Sequence, residues 1–203
     1  MCMTSSDRVR AAYDERADEY VRLLGSVEAL SPLDAARIRR WSLDVSGRIV
    51  DAGSGPGQWT AYLDAAGVQV EGLDLTPEFV AHSRNAYPHV TFREGSLLNL
   101  PYGDGTLGGV LAWYSLIHLE PDEVASALAE FARVLVPGGS VLLGLFEGTD
   151  GEFDHAVTTA RFWSVASITR MLDAAGFVVS DHETRQDPGA RPHAAICALR
   201  RAR

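Results

Sequence analysis

The hydrophobic and polar positions of this chain change period several times, and each change marks a predicted element. Residues 7–24 place apolar side chains at helical spacing and predict a helix. A second helix is predicted over about 32–41, because Ser31 can cap it and Asp34 falls in its first turn. From residue 48 onward, short apolar runs alternate with segments of helical spacing.

Seven apolar runs predict strands, and most of them are separated by predicted helices. The predicted strands cover residues 48–52, 68–74, 89–95, 106–116, 140–146, 177–183 and 193–200. The predicted helices between them cover residues 57–66, 76–87, 121–135 and 165–175, and an irregular segment is predicted over 147–163. Strand–helix alternation indicates an α/β fold with a doubly wound, mostly parallel seven-stranded sheet. No helix separates the last two strands, so the last strand is expected to be antiparallel.

The composition fits one soluble domain of 203 residues, with 46% hydrophobic and 22% charged residues. No run of about 18 apolar residues predicts a membrane span, and the first ten residues lack the apolar core of a signal peptide. The two cysteines, Cys2 and Cys197, provide no disulfide framework and no zinc-ligand spacing. We therefore expect a cytoplasmic protein without a metal or a membrane partner.

The charged residues of the chain exclude some classes of function. The formal net charge of −9 argues against a large contact with nucleic-acid phosphates. All 18 basic residues are arginine, which is most simply explained by a GC-rich bacterial genome. The absence of lysine nevertheless excludes Schiff-base chemistry and a lysine general base.

A glycine-rich loop, GSGPG at residues 53–57, follows the first strand of the alternation. Glycines permit a sharp bend and close approach of a ligand to the backbone, and the helix that follows favours negative charge at its N-terminus. A tight turn without a ligand would use the same residues. Asp74 favours a bound ligand over a simple turn, because it ends the second strand 21 residues after Gly53. A carboxylate there can accept both hydroxyls of a ribose, so a nucleoside-type ligand is predicted.

The residues around the loop distinguish between nucleoside ligands. A dinucleotide fingerprint needs Gly or Ala at its sixth position, where this chain has Gln58 followed by Trp59. Asp51, just before the loop, would repel a pyrophosphate but can receive an ammonium group, directly or through water. S-adenosylmethionine, which carries a ribose and a zwitterionic amino-acid tail, fits both carboxylates.

Five segments in order resemble class I S-adenosylmethionine-dependent methyltransferases of the small bacterial type. They are VDAGSGPGQW (50–59), GLDLTPEFVAHSR (72–84), FREGSLLNLPYGDGTLGGVLAWYSLIHL (92–119), ARVLVPGGSVLL (132–143) and WSVASITRMLDAAGF (163–177). The full set is specific, although no single segment is. The resemblance implies one domain over 1–203, in which helices of residues 1–44 form an N-terminal lid over a core of residues 45–203.

The same resemblance implies S-adenosylmethionine as cofactor, S-adenosylhomocysteine as product, and a set of cofactor-binding residues. These are Tyr20, Asp51, Gly53, Ser54, Gly55, Asp74, Leu75, Ser96, Leu97 and Trp113. The loop backbone would line the methionine part, Asp51 its amine, Asp74 the ribose and Leu75 the adenine. The family often has an aspartate after the third strand for the adenine amino group. Ser96 stands there instead, and its hydroxyl can still accept a hydrogen bond, with the Leu97 amide beside it.

Methyl transfer from a sulfonium is an in-line displacement, so the protein mainly aligns the acceptor and excludes water. A hydroxyl acceptor also benefits from a base, whereas a neutral amine or a thiolate does not need one. The candidates for catalytic contacts are His118, His155 and Tyr114, and His193 is a further histidine to consider. A packed aromatic ring would explain Tyr114 equally simply, whereas an ordinary structural or exposed histidine is the simpler explanation for each of the three histidines. Arg161 and Arg185 could bind an acidic acceptor, although exposed arginines are the default interpretation.

The acceptor pocket is expected between the end of the fourth strand, the lid and the segment 147–163. Aromatic residues there favour a small, partly planar metabolite methylated at O or N, taken by a monomer or a homodimer. Metal-dependent catechol methylation is disfavoured, because Trp113 and Tyr114 stand where such enzymes place an aspartate. Asp150 and Asp154 with His155 would be the remaining metal ligands.

Two alternatives remain open at this point. A non-catalytic, regulatory protein that binds S-adenosylmethionine would have the same fold and the same loop. A nicotinamide-dependent oxidoreductase would need a catalytic Tyr-Lys pair or a similar partner, and this chain has no lysine.

Overall fold

The computed structural model describes residues 26–27, 31–155 and 158–202. The helices of this part are α1 (Pro32–Leu43), α2 (Gln58–Ala65), α3 (Pro77–Ala86), α4 (Pro121–Val134) and α5 (Val165–Ala174). Its strands are β1 (Ile49–Ala52), β2 (Val70–Asp74), β3 (Thr91–Glu94), β4 (Leu107–Trp113), β5 (Leu135–Phe146), β6 (Gly151–Phe153), β7 (Ala160–Phe162), β8 (Phe177–Arg185) and β9 (His193–Arg200). The helix predicted over 7–24, which includes Tyr20, lies outside the described residues.

One sheet of seven strands forms the centre, in the order β3-β2-β1-β4-β5-β9-β8. The pairs from β3 to β5 are parallel, whereas β9 pairs antiparallel with both β5 and β8. The predicted α/β class, with a doubly wound, mostly parallel sheet and an antiparallel last strand, is confirmed. The strand order reverses between β1 and β4, which is where such sheets bind ligands.

Helices bury both faces of the sheet, as parallel strands require. All seven residues of β4 are buried. On one face, α4 buries its apolar stripe of Val124, Ala127, Leu128, Phe131 and Val134. On the other, α1 packs Ile38 and Trp41 against the sheet, and the Trp41 indole donates a hydrogen bond to Ser140 Oγ at 2.8 Å. The second predicted helix is thus confirmed and covers the β5 side of the sheet.

Two predicted strand limits were wrong. β4 ends at Trp113 and not at 116, because Tyr114 takes a φ of 59° that breaks the extended chain. β5 begins at Leu135 rather than 140, since Leu135 already pairs with Leu107 before an irregularity shifts the register to Gly109 and Ser140.

The segment predicted to be irregular over 147–163 contains a two-stranded antiparallel hairpin, β6–β7. The rings of Phe153 and Phe162 lie 4.3 Å apart between centroids, and Ala160 is fully buried. Each strand has three residues, which is too short for an alternating pattern to be recognised. Within the described residues, no helix combines the length and the apolar character that a membrane crossing requires.

Gly108 is expected to be indispensable for the start of β4. A Cβ at this position would lie 1.9 Å from the carbonyl oxygen of Ser46, which is backbone and cannot move aside easily. We expect Gly108→Ala to lower the free energy of unfolding by about 3 kcal/mol, at the upper end of ordinary overpacking. Gly151→Ala is the control, because its Cβ would meet only Thr149 O at 3.8 Å. Urea unfolding measures both, and equal midpoints for the two variants would contradict the prediction.

Candidate functional site

A cavity of about 420 Å³ opens at the carboxyl ends of the central parallel strands. The loops after β1, β2, β3 and β4 form most of its described wall, and the start of α1 and the end of β5 complete it. Because four strands end at one edge, residues that are far apart in the chain face the same space.

The glycine loop forms one side of the cavity. Gly53 and Gly55 have φ values of 82° and 53°, which only glycine adopts readily. The amides of Gly53 and Ser54 both donate to the Leu73 carbonyl, at 2.7 and 3.0 Å, and so fix the loop to β2. A Cβ on Gly53 would lie 2.3 Å from the Cβ of Ser115, so the loop also touches the chain that leaves β4. The three predicted loop residues therefore lie on the wall.

Asp74 lies at the end of β2 and lines the cavity with Leu75. Its carboxylate accepts the backbone N–H of Gly55 at 2.7 Å and that of Thr76 at 2.8 Å. Burial raises the pKa of Asp74, although the hydrogen bonds from Thr76 and Gly55 oppose this rise. The structure thus holds an oriented carboxylate at the position predicted for ribose binding.

Asp51 lies behind the loop and does not line the cavity. Only 1% of it is exposed, and it accepts a hydrogen bond from Thr60 Oγ1 at 2.7 Å. Burial raises its pKa to about 7; the Thr60 bond lowers it, and the charge of Asp74 raises it further. Of the two predicted carboxylates, only Asp74 therefore faces the cavity directly.

The loop after β3 forms the wall near Asp74. Ser96 and Leu97 line the cavity, together with Phe79 from α3. Ser96 Oγ accepts the N–H of Leu98 at 3.1 Å, so the loop itself orients the hydroxyl. The predicted adenine contacts are thus grouped around an apolar part of the wall.

Trp113 and Tyr114 lie at the end of β4, on the opposite side of the glycine loop from Asp74. The Trp113 ring lies over Gly144, where a Cβ would come within 2.6 Å of it. Trp113 also makes an edge contact with Trp59, with ring centroids 6.2 Å apart. This aromatic packing fixes the wall on which Tyr114 is placed.

Tyr114 also contacts a residue that lies far from it in the chain. Its hydroxyl lies 2.5 Å from Nδ1 of His193, the first residue of β9. Burial raises the pKa of Tyr114, and the charge of Asp34 contributes to the rise. Burial also lowers the pKa of His193, which is 3% exposed. Both groups are therefore neutral near pH 7.

His118 and His155, two predicted catalytic candidates, meet on the cavity wall with ring centroids 5.3 Å apart. His118 Nδ1 lies 2.8 Å from the carbonyl oxygen of Thr159 and so donates to it. Burial lowers the pKa of His118. Burial also lowers the pKa of His155 to about 4, with smaller effects from the charges of His118 and Arg191. Both imidazoles are therefore neutral near pH 7.

Several other candidate site residues form ion pairs or hydrogen bonds outside the cavity. Arg161 binds Glu120 and Glu152, and Arg185 binds Asp34 and Asp187. Neither arginine lines the cavity. Asp150 accepts the Ser164 amide at 2.6 Å at the start of α5, so this carboxylate serves as a helix cap.

Sequence reasoning missed Asp34 and Phe146 as wall residues. Asp34 was recognised only as an acid in the first turn of a helix, because nothing local indicates that this turn faces the sheet edge. Phe146 ends β5, and its position follows only from the register of β5 with β4 and β9.

Comparison with known proteins identifies the fold. Residues 49–139 match the family described as "Methyltransferase domain". Over this range the chain is similar to a methyltransferase domain. This match, together with the relatives described next, confirms the resemblance to class I methyltransferases.

A demethylmenaquinone methyltransferase of Chlorobaculum parvum is 31% identical over 123 residues, which are 60% of this chain and 47% of that protein. A "Probable S-adenosylmethionine-dependent methyltransferase" of Mycolicibacterium smegmatis is 32% identical over 139 residues, 66% of this chain and 52% of that protein. The chain thus spans about half the length of these curated relatives.

Magnesium protoporphyrin IX methyltransferase from Synechocystis PCC 6803, solved with bound S-adenosylmethionine, has the same fold. The TM-score is 0.79 at 17% identity, and the match covers 98% of both chains. At this identity the likeness concerns the fold alone.

The raised pKa of Asp51 predicts a pH-dependent stability. Because the folded protein keeps a proton on Asp51 that the unfolded chain loses near pH 4, the contribution of Asp51 to stability falls as the pH rises toward 7. Asp51→Asn removes this loss, and the Asn oxygen can still accept the Thr60 hydroxyl. The variant should therefore gain roughly 2–3 kcal/mol over the wild type between pH 5 and pH 8.

Urea unfolding at the two pH values tests this prediction. Asp122→Asn, an exposed change on α4, is the control and should differ from the wild type equally at both pH values. If Asp51→Asn also shows a constant difference, Asp51 is ionised throughout and the interpretation of its burial is wrong.

Proposed function

We propose that this protein transfers a methyl group from S-adenosylmethionine to an oxygen or nitrogen atom of a small-molecule acceptor. The observation that best supports this proposal is the single cavity that joins the glycine loop and Asp74 to Tyr114 and His155. One end has the groups that a nucleoside with an amino-acid tail requires, and the other has aromatic rings and neutral imidazoles. When bound, S-adenosylmethionine supplies an electrophilic methyl group.

The residues at the β1–β3 end fit this cofactor. The Asp74 carboxylate is preoriented by two amides and can accept ribose hydroxyls. Leu75 and Phe79 provide apolar surfaces for an adenine ring, and the oriented Ser96 hydroxyl can bond to its edge. Asp51 lies behind the loop and does not line the cavity. It would act on the amine of the tail through the loop or through water.

The acceptor end favours an uncharged, partly planar molecule. The basic side chains of Arg161 and Arg185 form ion pairs with carboxylates and do not line the cavity. In the part of the wall that the structure describes, the carboxylates Asp34 and Asp74 are the charged groups, and Asp34 is paired. An anionic acceptor would meet no counter-charge there, whereas aromatic surfaces such as Phe146 suit a flat, neutral one.

The protein contributes mainly alignment and exclusion of water. Alignment of acceptor and methyl group can lower the barrier by about 7–11 kcal/mol in favourable cases. His155 adds a proton acceptor, because its Nδ1 is buried without a hydrogen-bond partner among the described residues. An acceptor hydroxyl or amine N–H that donates to this atom would be oriented by it.

An acceptor screen tests the proposed function. The protein is incubated with S-adenosylmethionine and a panel of neutral hydroxy- and amino-substituted aromatic metabolites, and S-adenosylhomocysteine is quantified by mass spectrometry. We expect product that depends on both the protein and one acceptor class. Micromolar binding of S-adenosylhomocysteine without turnover of the panel or of a bacterial metabolite extract would instead support a non-catalytic binding protein.

Asp74→Ala is expected to weaken S-adenosylhomocysteine binding by about 100-fold, because two charge-assisted hydrogen bonds to the ribose are lost. Isothermal titration calorimetry gives the affinity, and circular dichroism shows whether the variant is folded. Asp122→Ala, an exposed change on α4, should bind like the wild type. Unchanged affinity of the folded Asp74→Ala protein would place the ribose elsewhere.

A further inference from the structure

We propose that Tyr114 and His193 form a proton relay that takes the proton of a hydroxyl acceptor during methyl transfer. This inference rests on the proposed function, and it selects a hydroxyl group as the methylated group. Tyr114 would contact the acceptor directly, and His193 would act through Tyr114.

The first argument is the backbone of Tyr114. It has a φ of 59° and is the only non-glycine residue with a positive φ among those the structure describes. The left-handed conformation costs about 1–2 kcal/mol for such a residue. It is held by the bond from the Tyr114 amide to the Gly144 carbonyl at 2.9 Å and by the Phe146 ring at 4.9 Å between centroids. Strain of this kind is concentrated at functional positions.

The second argument is where the strained turn directs the side chain. Tyr114 lines the cavity, and so does Asp34, whose charge acts on the Tyr114 phenol. The hydroxyl end of Tyr114 lies at His193, whose strand partner Arg185 binds Asp34 of α1. The same hydroxyl lies 2.5 Å from His193 Nδ1, a short hydrogen bond. One oxygen thus connects the cavity to a buried imidazole.

The third argument is that His193 is fixed and able to accept a proton. Its backbone pairs with Phe146 on one side and with Arg185 on the other. The ring packs against Trp113 with centroids 5.3 Å apart. Nε2 is buried without a hydrogen-bond partner among the described residues. Because the phenol is the stronger acid of the two neutral groups, it donates to Nδ1, and the ring hydrogen resides on Nε2.

In the relay, the acceptor hydroxyl donates to Tyr114 Oη. As the acceptor oxygen forms its bond to the methyl carbon, the carbon–sulfur electron pair remains on sulfur. The acceptor proton passes to Oη, and the phenolic proton passes to Nδ1 of His193. The products are the methyl ether, S-adenosylhomocysteine and a protonated His193, so the positive charge of the sulfonium is replaced by that of the imidazolium. His193 returns its proton by the same path to water after product release.

The charged groups around His193 suit a transient positive charge. Burial lowers the pKa of His193 and Arg185 lowers it further, whereas Asp34 on α1, Glu183 on β8 and Asp187 raise it. Three carboxylates therefore favour a positive imidazole, whereas one guanidinium and burial, which has the largest effect, oppose it. His155, by contrast, lies within reach of the positive charge of Arg191.

Two variants separate a relay from simple positioning. Tyr114→Phe keeps the ring and removes the hydroxyl. His193→Asn keeps a hydrogen-bond acceptor near the place of Nδ1 but cannot take up a proton. With the hydroxyl acceptor found in the screen, we expect both variants to lose kcat by roughly 10²–10⁴-fold, the usual contribution of general base catalysis. The KM for S-adenosylmethionine should stay within about twofold, since binding and proton removal are separate.

A thiol analogue of the same acceptor provides the second measurement. At a pH above the pKa of its thiol group, the analogue is a thiolate that has already lost its proton, so both variants should methylate it at nearly the wild-type rate. His89→Asn is the matched control, because His89 is exposed and pairs with Asp64 at 3.3 Å, outside the cavity wall. It should leave transfer to both acceptors unchanged.

The possible results are distinct. Retention of kcat by His193→Asn would overturn the relay and leave His193 as a residue that positions Tyr114. Equal losses with the hydroxyl and the thiol acceptor would also overturn it, because the variants would then disturb alignment and not proton transfer. If the wild type binds S-adenosylhomocysteine but turns over no acceptor, the proposed function fails and the relay fails with it.

Discussion

The contact between Gly53 and Ser115 joins the two halves of the cavity. The loop after β1 lies so close to the chain leaving β4 that a Cβ on Gly53 would come within 2.3 Å of the Ser115 side chain. β1 is flanked by β2 on one side and β4 on the other, at the point where the strand order reverses. A glycine therefore sets the distance between the cofactor end, at Asp74, and the acceptor end, at Tyr114. Because the loop packs so closely on Ser115, a side chain larger than hydrogen at Gly53 would force the two segments apart.

The same crowding places two carboxylates in a region with little water. Burial raises the pKa of Asp51 to about 7 and also raises that of Asp74. Each of these shifts makes the folded state less favourable near neutral pH than it would be with exposed carboxylates. A ligand with a positive charge on its sulfur or its amine opposes both shifts, so ligand binding and ionisation of these acids are coupled. Part of the stability of the fold is thus given up at the site, and under the proposed function a cationic ligand would restore it.

The sequence-predicted residues that the structure brings together on the cavity wall are recognised from short-range signals. The glycine loop is followed by a helix, and Asp74 ends a strand, so each can be recognised within about ten residues. The contacts that were missed connect distant segments: Tyr114 and His193 are 79 residues apart, and Asp34 and Arg185 are 151 apart. They form only because β9 inserts between β5 and β8, which the alternation of strands and helices does not specify.

The limits of the strands likewise depend partly on local sequence and partly on contacts between distant segments. The apolar run from 106 to 116 predicts a long β4, yet the strand ends at Trp113, because tertiary contacts hold Tyr114 in a left-handed conformation. No local rule gives an aromatic residue this conformation, since glycine or asparagine would adopt it at lower cost. Tertiary contacts thus override the local strand pattern at Tyr114, the residue proposed to contact the acceptor. Such conflicts between local preference and structure are common at functional positions.

The neutrality of the acceptor end bears on how the barrier is lowered. Transfer from a sulfonium to an uncharged acceptor spreads a concentrated positive charge over a larger group of atoms. Water would stabilise the concentrated charge of the ground state better than the spread charge of the transition state, so excluding it favours reaction. Faces of aromatic rings such as Trp113 and Tyr114 attract a cation without the directional demand of a carboxylate. A wall of aromatic rings and neutral imidazoles therefore suits a reaction in which charge must leave sulfur.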